Sequence, residues 1–121
     1  MGALEDLKTL IMEGKLETEL ELKIKDKPFK FKICTMTLLE ELKALNDAGL
    51  SEFPKNDIEN SRYICACIPY IIKEINGESI KSDSLKEFIG LFSWELILQI
   101  YDAYAKLNSR EVKAGDELKN S

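Results

Sequence analysis

The chain has 121 residues, 45% apolar and 32% charged, with a formal net charge of -5 and no histidine. That composition fits one folded domain able to bury a core without disulfides or metals, and it excludes a disordered chain. Lacking histidine, it lacks the commonest zinc ligand, general base and pH switch, and its acidic balance argues against a nucleic-acid surface.

Residues 3–13 carry Leu4, Leu7, Leu10 and Ile11 at helical spacing, with Gly14 placed as a C-cap. This short amphipathic helix is expected to serve as a docking element over residues 1–15, with those four side chains touching a partner. Glu5, Asp6 and Glu13 stand where a signal peptide would carry a basic stretch and an apolar core, so a cytosolic protein is expected. No apolar run in the chain approaches the roughly 20 residues that span a bilayer.

The period then changes to two. Thr18, Leu20, Leu22 and Ile24 alternate with Glu17, Glu19, Glu21 and Lys23, and Phe29, Phe31 and Ile33 alternate with Lys30 and Lys32. With Asp26-Lys27-Pro28 as the turn, this predicts one antiparallel β-hairpin with an apolar face and a charged face. The lysines from Lys23 to Lys32 read as the solvent face of that hairpin, and a face for nucleic acid or anionic lipid is the other reading. Two strands alone are marginal in water, so helices or another chain must cover them.

Thr37-Leu38-Leu39-Glu40 is a capping box, opening a helix to about Asn46 with Leu38, Leu39, Leu42 and Leu45 as its buried stripe. Gly49 ends it, and residues 50–57 with Pro54 form a loop. From Asp57 to Ile75, apolar residues recur at helical spacing through Ile64, Ile68, Ile71 and Ile72, with Pro69 as a kink or a split. Asn76-Gly77 then closes a helix, or turns a second hairpin over Tyr70–Ile80. Ser84-Leu85-Lys86-Glu87 is a second capping box, and its helix carries Leu85, Phe88, Ile89 and Phe92. Ser93 caps a last helix bearing Trp94, Ile97, Ile100, Tyr101, Tyr104 and Leu107, with Asn108 as a stop and residues 109–121 as a polar tail.

These elements predict an α+β fold: an N-terminal helix, one hairpin and a bundle of about four helices, with the main domain over residues 16–108. Chemistry is sparse. Gly49, Gly77, Gly90 and Gly115 stand alone, so no phosphate loop exists. The carboxylate pairs Glu40/Glu41 and Asp57/Glu59 fall at helix starts, where the helix dipole favours them. Cys34, Cys65 and Cys67 make an odd count, and residues two apart on a helix point about 200° apart, so reduced structural thiols are expected rather than a metal site. No catalytic residue, cofactor or metal is expected. The aromatic group Phe88, Phe92, Trp94, Tyr101 and Tyr104 serves the core or a shared core and interface, with Trp94 and Tyr104 as the contacts expected to reach a partner.

The segments KFKICTMTLLEEL (30–42), YIIKEING (70–77) and LKEFIGLFSWELILQIYDAYAKL (85–107), taken in order, resemble the small tail and baseplate proteins of contractile-tailed bacteriophages, particularly the baseplate hub assembly chaperones. The resemblance covers most of residues 16–108 and rests on pattern and order. In that family a polar-apolar segment leads from the hairpin into a helix, as Ile33–Glu40 does here. It implies a non-catalytic assembly protein that binds other tail components in the host cytoplasm or stays in the virion tail, and it carries over no catalytic residue; the unpaired edges of a two-stranded sheet separately lead us to expect an oligomer or a complex member. The N-terminal helix and polar tail depart from the family pattern and leave chaperone and retained subunit both open. A small acidic regulator that binds and inhibits a host protein is the alternative.

Overall fold

The computed structural model describes residues 2–13 and 16–120, with side chains over residues 2–11 and 16–109. It is an α+β fold with a four-stranded antiparallel sheet. Helix α1 spans Ala3–Glu13; the Gly14 cap lies outside the described residues.

Strands β1 (Glu17–Ile24) and β2 (Lys27–Cys34) form the hairpin that the alternating pattern predicts, with Leu20 opposite Phe31 and Leu22 opposite Phe29. The turn is Lys25-Asp26 rather than Asp26-Lys27-Pro28. Both residues have positive φ, 52° and 67°, the geometry of a two-residue type I′ turn whose twist matches the strands. In such a hairpin the flanking pair Ile24–Lys27 is hydrogen-bonded and the next pair, Lys23–Pro28, is not. Pro28 therefore costs the β1–β2 ladder no donor.

Thr37 caps α2 (Leu38–Asp47) through the full capping box: Thr37 Oγ1 accepts from Glu40 N at 3.2 Å, and Glu40 Oε1 accepts from Thr37 N at 3.0 Å. Of the stripe expected to be buried, Leu45 alone is. Leu45 and Ala44 face the core, whereas Leu38, Leu39 and Leu42 are exposed, because α2 covers the core with only one side of its last turns.

Helix α3 (Asp57–Ile71) runs through Pro69 and ends at Ile71, and the chain then enters β3 (Ile72–Ile75). Asn76 and Gly77, at φ 52° and 83°, make a second type I′ turn into β4 (Glu78–Ser79). The single hairpin is thus corrected to a sheet of order β1-β2-β3-β4. The reason lies in β2. Its even-numbered residues direct their backbone groups away from β1, and β3 satisfies them; a longer α3 would leave them unpaired. Pro69 is tolerated in the last turns of α3, where it withholds one bond from the Cys65 carbonyl.

Helix α4 (Ser82–Lys86) starts before the expected Ser84 box, with Lys81 as an N-cap that makes no side-chain bond. A 3₁₀ turn follows at Ile89–Leu91. Ser93 caps α5 (Trp94–Asn120) as expected, its Oγ accepting from Leu96 N at 3.1 Å. Asn108 does not stop α5, whose helical backbone continues through the expected tail to Asn120. Helix α5 packs on β1, β2 and α3, and the core joins Phe31 and Ile33 of the sheet to Ile64, Ile68 and Ile71 of α3, Leu85 of α4, and Ile97 and Ile100 of α5.

Candidate docking surface

Several polar side chains hold the elements of this fold together. Glu40 adds to its capping role an ion pair with Lys73, Oε2 to Nζ at 2.7 Å, which ties α2 to β3. Glu59 lies at the start of α3, where Asn56 Oδ1 accepts from its backbone N–H at 2.9 Å. Asp47, at the end of α2, accepts from Tyr70 Oη at 2.6 Å and pairs with Lys86 Nζ at 3.1 Å; that ammonium also sits 4.8 Å from the centre of the Tyr70 ring. Burial pushes Asp47 up, but the hydrogen bonds from Tyr70 and Lys86 and the charge of Lys86 outweigh it and leave its carboxyl below the ordinary value. The contact with Tyr70, then Asp47, raises Lys86.

The three cysteines are free thiols. Burial pushes Cys67 up to about 12 and Cys65 upward as well, so both are protonated and unreactive near neutrality. Among the described residues no cluster of His, Cys, Asp or Glu could hold a metal ion, and no helix is long and apolar enough to cross a membrane.

What the surface offers instead is apolar area. On α3, Arg62, Cys65, Ala66 and Pro69 recur at three- and four-residue spacing and line one wall of a groove of about 680 Å³. Ala48, Ile89 and Trp94 add to its apolar lining, and Asp47 and Lys86 join Arg62 as its charged members. Trp94 also borders a second depression of about 700 Å³ along Leu98 and Tyr101 of α5. Trp94 thus lines both hollows, and it is 46% exposed, as suits an aromatic anchor.

Compared with protein-family models, curated protein sequences and solved structures, the chain matches none.

Of the residues expected to contact a partner, Leu4, Leu7, Leu10 and Ile11 form a stripe on α1 that is exposed along its whole length; Leu4 is 76% and Leu10 66% exposed. Trp94 lies on the surface as expected. Tyr104 does not: at 4% exposure it belongs to the core, on the α5 face shared by Ile97, Ile100 and Leu107. The two aromatic residues sit ten positions apart, about 80° around a helix at 100° per residue, so Trp94 falls at the margin of the face that Tyr104 buries. The apolar strip that α5 leaves at the surface falls on Trp94, Leu98 and Tyr101, spaced by four and three. The Trp94–Leu98–Tyr101 spacing was legible as a second stripe. The contribution of Arg62, Cys65 and Pro69 was not, because it depends on which side of α3 meets α5.

Proposed function

We propose that this protein is a non-catalytic binding component of bacteriophage tail or baseplate assembly, acting in the host cytoplasm on larger tail proteins. The observation that carries the reading is the exposed aliphatic stripe of α1. An isolated helix of 11 residues is marginal in water, and burying each large aliphatic side chain is worth about 1.5–3 kcal/mol, so the stripe is best served by an apolar face on a partner. The Trp94 strip supplies a second contact of the same chemistry. The tail or baseplate setting is supported by the resemblance of residues 30–42, 70–77 and 85–107 and by no other feature.

A second reading, a small acidic regulator of a host protein, is favoured by the net charge of -5. Affinity capture of the full chain from infected cells, with mass spectrometry of the captured proteins and of purified particles, separates the two. Tail components in either fraction support assembly. Capture of a basic host protein alone supports the regulator and overturns the assembly reading.

A further inference from the structure

The open edge of the sheet carries its own specification for a partner. Strand β1 pairs with β2 on one side only, and among the described residues no strand covers the other. Hydrogen bonding alternates along an antiparallel pair. Ile24, beside the two-residue turn, bonds inward to Lys27, so Leu22, Leu20 and Thr18 also direct their backbone groups to β2. The N–H and C=O groups of Glu17, Glu19, Glu21 and Lys23 consequently point outward. The eight-residue strand presents an unpaired edge of about 26 Å, at roughly 3.3 Å per residue.

The charges on the outer face alternate strand by strand. Glu74 of β3 meets Lys32 of β2 at 3.1 Å, and Lys32 meets Glu17 of β1 at 3.5 Å. Glu19 and Glu21 stand opposite Lys32 and Lys30 in the register. The sheet therefore reads acidic, basic, acidic from β3 to β1. A strand added beside Glu17, Glu19 and Glu21 continues that order only if its outward side chains are basic. Its inward side chains would extend the row of Thr18, Leu20 and Leu22, which are half-buried over α5, and these call for apolar residues.

We infer that β1 is a strand-addition site for an extended segment of another protein in which Lys or Arg alternates with apolar residues. This rests on the protein-binding reading above but uses a different surface from α1 and the Trp94 strip. A second copy of β1 is a poor occupant. Every symmetric antiparallel register that keeps apolar residues on the inner face sets two of the glutamates Glu17, Glu19 and Glu21 opposite each other, or one opposite its own copy, unless it pairs only the last residues of the strand.

The test uses the full chain and two capped peptides, one alternating Lys with Val and one alternating Glu with Val, followed by amide hydrogen exchange. The Lys/Val peptide is expected to slow exchange at Glu19, Glu21 and Lys23, and the Glu/Val peptide to leave them unchanged. Glu21→Pro removes an outward donor and no ladder bond, which edge strands tolerate, so it is expected to keep the fold and abolish protection. Glu19→Gln with Glu21→Gln keeps every backbone group and is expected to weaken the Lys/Val peptide by roughly threefold to tenfold, as two exposed charge pairs allow. Equal binding of both peptides, no binding of either, or protection confined to the α3–α5 groove overturns the inference. So does a double Gln variant with unchanged affinity, which remains decisive if Glu21→Pro does not fold. A chain lacking α1 is expected to bind the peptide normally while losing partner capture, so the edge and the helix can fail independently.

Discussion

Asn76 holds Lys30 by two of its atoms: its backbone N–H donates to the Lys30 carbonyl, and its side-chain Oδ1 accepts from the Lys30 N–H, both at 2.8 Å. The residue that turns the chain from β3 to β4 also locks β3 onto β2, 46 positions earlier. Its φ of 52° explains why asparagine suits the site, since it tolerates the left-handed region better than other residues with a Cβ.

Asn76→Ala is expected to destabilise the protein by about 2 kcal/mol, combining a left-handed alanine with the lost side-chain bond. Asn76→Gly keeps the turn conformation and is expected to cost about 1 kcal/mol, the share of that bond alone. Urea denaturation of both variants checks the order. Equal stability of Asn76→Ala and the parent chain would mean that the β2–β3 junction does not depend on this contact.

The cluster of Asp47, Tyr70 and Lys86 makes a prediction on the acid side. The Asp47 carboxyl titrates below its unfolded value of 3.8, so its contribution is present above that pH and is lost as pH falls through the lowered value. Asp47→Asn is expected to cost about 0.5–1 kcal/mol at neutral pH, modest because the pair is partly exposed, and the deficit should vanish in strong acid. Stability curves of parent and variant that remain parallel from pH 7 to pH 2 would rule out this role.

On the alkaline side the sign is opposite. Cys67 titrates at about 12 against an ordinary value of 9.0, so the folded state holds its proton after the unfolded state has released it. Its contribution is full below about 9 and is lost as pH rises towards 12. Cys67→Ala is expected to flatten the alkaline limb of the stability profile, although the small cavity lowers stability at neutral pH. Thiol titration of the native protein at pH 8 is expected to label Cys67 far more slowly than the unfolded chain. Rapid labelling there, or a disulfide on a non-reducing gel, would contradict the structural reading of these thiols.

Deleting residues 1–14 is expected to leave the urea midpoint within error of the full chain, because every described side chain of α1 is exposed. The same deletion should weaken partner capture, and Trp94→Ala should weaken it further with a stability cost below about 1 kcal/mol. If the truncated protein unfolds, α1 is a core element and not a docking helix. Sedimentation across a concentration series reads self-association in the same samples.

The hairpin, the Thr37 box and the Ser93 cap were all readable from the sequence, because each is determined by residues within a few positions of one another. Alternation of Leu20 and Leu22 with Glu19 and Glu21 sets the faces of β1, and Thr37 and Glu40 close their bonds within one helical turn. The far boundary of α3 was not. Ile72–Ile75 continues the helical period of Ile64, Ile68 and Ile71, yet it becomes a strand because β2 offers unpaired backbone groups that a helix cannot satisfy. The fate of the apolar stripes was equally a tertiary matter. Leu38, Leu39 and Leu42 are exposed while Leu45 is buried, and Trp94 is exposed while Tyr104 is buried, although all belong to apolar helical patterns. Periodicity establishes that a helix has an apolar side; which part of that side meets the core depends on where α3 and the sheet lie, and those contacts join residues far apart in the chain.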